Sequence, residues 1–154
     1  MAQASGISIE PCTERDLGLW IALRRALWPE AAEPDLRQEA EALLCRSDQA
    51  IAVLARTARG GVAGFAEASL RHDGVNGCAT SPVAFLEGIY VCPGWRRRGL
   101  ASRLCAAVED WARERQCREF ASDALLDNDA SHRMHRALGF EETERVVYFR
   151  KVLA

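Results

Sequence analysis

The stretch "FLEGIYVCPGWRRRGLASRLCAAVEDWARE", Phe85–Glu114, decides the reading of this chain. It continues an apolar strand, "VAFLEGIYV", whose run is interrupted only at Glu87 and Gly88. A proline turn, three consecutive arginines and Gly99 follow. Leu100, Leu104, Ala107, Val108 and Trp111 then recur at the spacing of a helix that buries one face against a sheet. Gly99 therefore falls at the first turn of that helix. A helix N-terminus carries unpaired N–H groups and partial positive charge, and it binds phosphate readily. Glycine removes the side chain that would block close approach, and arginine adds forked donors suited to phosphate oxygens. A pyrophosphate is the natural guest. The charge run alone also reads as a solvated turn. One short basic turn without interleaved aromatics does not make a nucleic-acid groove, so nucleic acid is not expected as a partner.

Working outward, "GISIEP" alternates and stops at Pro11, a short first strand. Thr13 and Asp16 have the spacing of a capping box, opening a helix through Leu17, Trp20, Ile21, Leu23 and Leu27 that ends before Pro29. A second helix follows "EPD". "AIAVLAR" and "VAGFAEASL", separated by a glycine turn, predict a hairpin. "RHDGVNGCATSP" is a polar loop of functional length. After the central stretch come the strand "REFASDA", the helix "DNDASHRMHRAL" closed by Gly139, and last strands in "GFEETERVVYFRKVL". The order β-α-α-β-β-β-α-β-α-β argues an α+β or mixed α/β fold.

A chain of 154 residues that is 49% hydrophobic fits one domain over residues 1–154. Its net charge of −2 excludes little. No apolar run is long enough for a membrane span, and "MAQASGISIEPCTERDL" has neither the basic start nor the apolar block of a secretion signal. Six cysteines lack C-x-x-C spacing, and three histidines complete no zinc pattern, so no metal is expected. The cysteines read as reduced thiols packed as small hydrophobes, which implies the cytoplasm.

Arg96-Arg97-Arg98-Gly99-Leu100-Ala101 fits the Q/R-x-x-G-x-G/A signature of the GCN5-related N-acetyltransferases (GNAT). Asn128, Ser131, His135, Gly139 and Phe140 fall on the spacing N-x-x-A-x-x-x-Y-x-x-x-G-F of the same superfamily. "RHDGVNGC", "SPVAFLEGIYV", "CREFASD" and "ALGFEETERVVYFRK", with Trp28-Pro29 and "ASLRHD", further resemble the aminoglycoside 6'-N-acetyltransferases. The resemblance implies a GNAT fold: a central mixed, mostly antiparallel sheet with splayed middle strands and flanking helices. It implies acetyl-CoA as co-substrate, the 6'-amine of an aminoglycoside as acceptor, and a homodimer built through the C-terminal strands; the rival readings are another amine acceptor, such as a polyamine or a protein N-terminus, and a non-catalytic acyl-CoA sensor. On this likeness the pyrophosphate lies on the backbone of Arg97, Arg98, Gly99, Leu100, Ala101 and Ser102. The strand Ile89-Tyr90-Val91 pairs with the pantetheine arm, the Val91 N–H faces the thioester oxygen, and Asn128 contacts the cofactor near its bend. Asn128 reads equally well as a helix cap.

Glu87 is the candidate base, the one carboxylate inside the apolar central strand, two residues before the cofactor segment. The competing reading is a buried ion-pair partner for Arg71. An attached ammonium, rather than a transferred proton, would serve the same position. Asp123, at the end of "EFASD", and Glu144 are implied amine contacts, with Trp28 stacking on a sugar ring and Trp20 in the core. Acids at Asp127, Asp129, Glu141 and Glu142 suit a polycation, or form ordinary surface. His135 stands where the superfamily often has the tyrosine that protonates the leaving thiolate, and Tyr148 is the substitute. The general acid is open between them.

Overall fold

The computed structural model describes residues 6–154. β1 (Ile7–Pro11) runs into the expected box: the Thr13 N–H and hydroxyl donate to the Asp16 carboxylate at 2.8 and 3.0 Å. The box opens one 3₁₀ turn that continues as α1 (Leu17–Leu27). Burial pushes the Asp16 carboxyl up, but hydrogen bonds from Arg56 and Thr13 outweigh it and hold the group below its ordinary value. α2 (Glu33–Leu44) carries Pro34 in its first turn, where no intrahelical N–H is needed. β2 (Ala50–Thr57) and β3 (Val62–Arg71) form the hairpin, and β4 (Val83–Val91) follows the loop. α3 (Leu100–Glu114), β5 (Phe120–Ala121) and α4 (Asp129–Ala137) complete the order.

The sheet order is β1-β2-β3-β4-β5, antiparallel through β4 and parallel between β4 and β5. Apolar residues on both faces of the strands bury against helices on both sides. Trp20, Ile21 and Leu23 of α1, with Ala40 and Leu43 of α2, pack over Leu54 and Phe65. Leu100, Leu104, Val108 and Trp111 of α3 cover Ala66 and Leu86 on the other face. Trp20 is fully buried, as its place in the α1 stripe predicts.

Two irregularities shape the centre. Glu67 pairs with Gly88 but the next residue, Ala68, pairs with Leu86, so Glu87 is an extra residue without a partner. Such a bulge shifts the side-chain alternation by one. Leu86 and Ile89 belong to the α3 side, whereas Glu87 and Gly88 both turn to the α1 side. The second irregularity is the short β4–β5 pairing, Ala84↔Phe120 and Phe85↔Ala121 only. Beyond it the outer edge of β4 is unpaired, the splay that the family likeness implies.

The expected last strands do not form. Residues 139–154 carry strand-forming valines and aromatics but no regular structure, and Val147, Tyr148, Phe149, Val152 and Leu153 are 75–92% exposed. A strand exists only through its neighbour's hydrogen bonds, and among the described residues this segment pairs with none. All six cysteines are free thiols. Burial pushes Cys12 and Cys105 up to about 12, so both behave as small hydrophobes, while Cys45 is exposed.

Candidate active site

Gly99 is the residue before α3 and has φ +76°, the left-handed region that side chains avoid. A methyl built there meets nothing within 4 Å, so the helix mouth is open. Among the described residues, no protein acceptor takes the N–H groups of Gly99 to Ser102. Arg97 also has positive φ, +61°, a strained state that costs about 1–3 kcal/mol and recurs at ligand clamps. The arginines diverge. The Arg96 guanidinium stacks over Tyr90 at 5.5 Å and its Nε donates to the Val91 carbonyl at 2.8 Å. Arg98 lies over the Trp95 ring at 5.1 Å.

The direction of the Val91 amide follows from its neighbours. The Cys92 N–H donates to Ala63 of β3 at 2.8 Å, and in a strand successive amides point to opposite sides. Val91 therefore turns its N–H and C=O to the open edge, where Arg96 finds the carbonyl. Ile89 and Val91 share that orientation, and Tyr90 faces β3. An orphaned helix mouth, an open strand edge and an inward-free amide fit a phosphate-bearing, amide-bearing chain such as CoA.

On the α1 side, Glu87 is a third exposed and not buried as its apolar run suggests, because the bulge lifts it out of the ladder. Its carboxylate accepts from the Ser69 hydroxyl at 2.5 Å and from Arg71 at 3.1 and 3.2 Å. The pairing with Arg71 is thus formed, at the surface rather than in the core. Trp28 lies half-buried beside it, edge-on to Phe65, with Arg24 at 4.9 Å from its ring. Its outer ring rests on Gly88: a methyl there would stand 2.6 Å from Trp28. Asp123 is exposed two residues beyond the Phe85↔Ala121 pair, on the side of the splay that Glu87 faces.

His135 sits on the opposite, α4 side. Its Nδ1 donates to the Ser131 carbonyl at 2.7 Å, and its Nε2 lies 2.8 Å from Ser122 Oγ, which reaches the Leu86 carbonyl at 3.3 Å. The Ser122 hydroxyl can donate to a neutral imidazole or accept from a protonated one, so the ring is held in either state. Asn128 caps α4 by accepting from the Ser131 N–H at 3.1 Å, which realises its helix-cap reading. Glu144 and Tyr148 lie exposed on the unpaired C-terminal segment, and Tyr148 is 82% exposed. Among the described residues, nothing surrounds it as a proton donor would be surrounded. Glu142 is occupied by Arg145 and Arg136, so that acid is partly neutralised within its own segment.

Three residues escape sequence reasoning. Arg24 of α1 and Glu67 of β3 are 3% exposed each and pair at 2.9 Å, with the Trp20 indole N–H donating to the same carboxylate at 3.1 Å. Arg24 also reaches Glu39 at 2.5 Å. Desolvation pushes Glu67 up to about 7 against the pull of Arg24 and Trp20. The available signal was a charge on each apolar stripe, Arg24 four residues after Trp20 and Glu67 two after Phe65. Glu119 was missed as well. It anchors the polar loop by accepting from the N–H groups of Ala79 and Thr80 at 2.9 and 2.7 Å.

A sheet splayed beside a glycine-led helix mouth is the architecture of an acyl-CoA-dependent transferase. The chain belongs to the Acetyltransferase (GNAT) family, whose model matches residues 20–140. It is 51% identical over 145 residues to an aminoglycoside N(6')-acetyltransferase type 1 of Acinetobacter genomosp. 13, covering 94% of this chain and 98% of the relative. The enzyme of that name from Serratia marcescens is 50% identical over 142 residues, covering 92% and 97%. Among solved structures, AAC(6')-Iy in complex with the bisubstrate analog CoA-S-monomethyl-acetylneamine superposes with TM-score 0.91 at 45% identity, covering 97% of this chain and all of that one. AAC(6')-Ih from Acinetobacter baumannii gives TM-score 0.91 at 50% identity over the same shares.

Proposed function

We propose that this chain, as one acetyltransferase domain, transfers the acetyl group of acetyl-CoA to the 6'-amino group of aminoglycosides, conferring resistance by removing a positive charge. The observation that carries this reading is the near-full-length match to an enzyme bound to a CoA–neamine conjugate, on a chain whose own helix mouth and open strand edge suit CoA. The N–H groups of Arg97 to Ser102 hold the pyrophosphate, with Arg98 supplying charge, and Ile89 to Val91 align the pantetheine arm. Asn128, whose side-chain amide is left over from capping, contacts the bend. Acetyl-CoA supplies an acyl group activated as a thioester. The Val91 N–H is the donor aimed where negative charge develops on the acyl oxygen.

Glu87, Asp123 and Glu144 bind the acceptor's ammonium groups, and Trp28 lies against a sugar ring. Glu87 takes the proton that frees the attacking amine, directly or through water. His135, held by Ser131 and Ser122, can deliver a proton to the departing thiolate. Tyr148 is the alternative donor, and it requires the C-terminal segment to be folded against the cleft. A homodimer would do that. Support comes from the exposed, valine- and aromatic-bearing segment 139–154 and the two-residue outermost strand β5, which has room for a partner's strand. Sedimentation of the chain with and without residues 141–154 tests it. No described helix is long and apolar enough to cross a membrane, and we place the enzyme in the cytoplasm.

The deciding assay follows CoA release, corrected for protein thiols, with 6'-amino aminoglycosides, their 6'-hydroxyl counterparts, polyamines and peptides. Only the 6'-amino compounds should turn over, with one acetyl group on that amine by mass spectrometry. Modification of another amine, or turnover of polyamines or peptides alone, refutes the assignment.

A further inference from the structure

We propose that Arg71 is a built-in counter-cation for Glu87 that the acceptor's ammonium displaces, so that Arg71 sets the affinity for the acceptor. The inference rests on the acceptor reading of Glu87 given above and adds a specificity-determining residue to it.

The pair is not an ordinary cross-strand neighbour. Arg71 stands opposite Val83, and Ser69 opposite Phe85, so Glu87 lies four residues along β4 from the partner of Arg71. That is roughly 10–13 Å of strand, the shorter figure allowing for the bulge. The arginine therefore runs back along the sheet to reach the carboxylate. It does so over the face of Phe85, with the guanidinium carbon 3.5 Å from the ring centroid. Neighbouring cross-strand pairs stabilise a sheet because their side chains already meet, whereas this one must order two long side chains to meet at all.

The surroundings make the contact easy to open. Both partners are partly exposed, 43% for Arg71 and 33% for Glu87, so water screens their attraction. Glu87 keeps a second bond, from Ser69 at 2.5 Å, that holds the carboxylate in place when the arginine leaves. Phe85 gives the departing guanidinium a resting surface that does not depend on Glu87. The carboxylate sits on the bulge, beside Gly88 and Trp28, where an acceptor ring would lie. A guanidinium held on that carboxylate stands where an incoming ammonium must go. The exchange trades one cation for another, so Glu87 is never left without a partner.

The test uses the full chain and neamine as acceptor. Arg71→Gln should lower KM for neamine about 1.5- to 5-fold, the coupling of a partly exposed ion pair, and leave KM for acetyl-CoA unchanged. Arg71→Lys should stay near the wild type because it keeps a cation within reach. An active wild type with an unchanged or raised neamine KM in Arg71→Gln overturns the proposal and leaves the acetyltransferase reading intact. A wild type that acetylates no aminoglycoside overturns that reading and this one together. Should Arg71→Gln fail to fold, arginine side-chain NMR of the wild type decides. Adding neamine with CoA should shift or broaden the Arg71 guanidinium signal, assigned against the Arg71→Lys spectrum, and an unmoved signal refutes displacement.

Discussion

Replacing Gly88 with alanine probes the contact that positions Trp28 beside Glu87, the proposed acceptor side of the site. The new methyl would stand 2.6 Å from Trp28 Cη2, 2.8 Å from Cζ2 and 3.2 Å from a Leu27 methyl. Carbon atoms in contact rest at about 3.5–4.0 Å, so the indole must retreat by about 1 Å. Its retreat is opposed on two sides. The ring is edge-on to buried Phe65, and it is stacked with Arg24, which Glu67 and Glu39 hold in place. Overpacking of this kind costs about 1–3 kcal/mol. In a chain of this length each kcal/mol lowers Tm by about 2–4 °C. A shift of about 1 Å in a substrate-positioning group can lower kcat/KM by as much as about 100-fold. Thermal unfolding and CoA-release kinetics with neamine measure both effects, and acetyl-CoA affinity should be unchanged because its proposed contacts lie on the far side of the splay. Trp28→Phe removes the two clashing carbons. Gly88→Ala should therefore cost less stability in the Trp28→Phe background, with a coupling of about 0.5–3 kcal/mol. A Gly88→Ala protein with wild-type Tm and wild-type neamine kinetics would refute the packing argument.

Two further outcomes are expected. Gly99→Glu places a side chain at φ +76° and a negative charge at the helix mouth, and calorimetry should find acetyl-CoA binding abolished; unchanged affinity would remove the phosphate assignment. Glu67 has its folded-state carboxyl raised from 4.5 to about 7 by burial, so its contribution to stability is fully present below 4.5 and is lost as pH rises through 7. Urea unfolding of the wild type should show that decline, and Glu67→Gln, which mimics the neutral acid, should abolish it while leaving stability below pH 4.5 close to the wild type. A variant that keeps the same pH slope would assign the slope to another group.

What the sequence determined by itself is what short-range physics decides. Period-two alternation in "GISIEP" and the short continuous apolar run of "VAFLEGIYV" mark strands, and a 3.6-residue stripe from Leu100 to Trp111 marks a helix, because each pattern matches one backbone geometry. The Thr13–Asp16 box and the glycine before α3 are equally local, and the open helix mouth was readable for that reason. The acceptor side was readable only as a set of residue types. Whether Glu87 is buried depends on a bulge against β3, which no pattern within β4 encodes, and the tertiary structure puts it at the surface with Arg71. Arg24 and Glu67 are 43 residues apart and become a pair only when α1 lies across the sheet. Trp28 acquires its place from the missing side chain of Gly88, on another element. The C-terminal strands mark the other limit. Residues 139–154 carry strand-forming residue types, but a strand's hydrogen bonds are supplied by a neighbour, and among the described residues this segment has none.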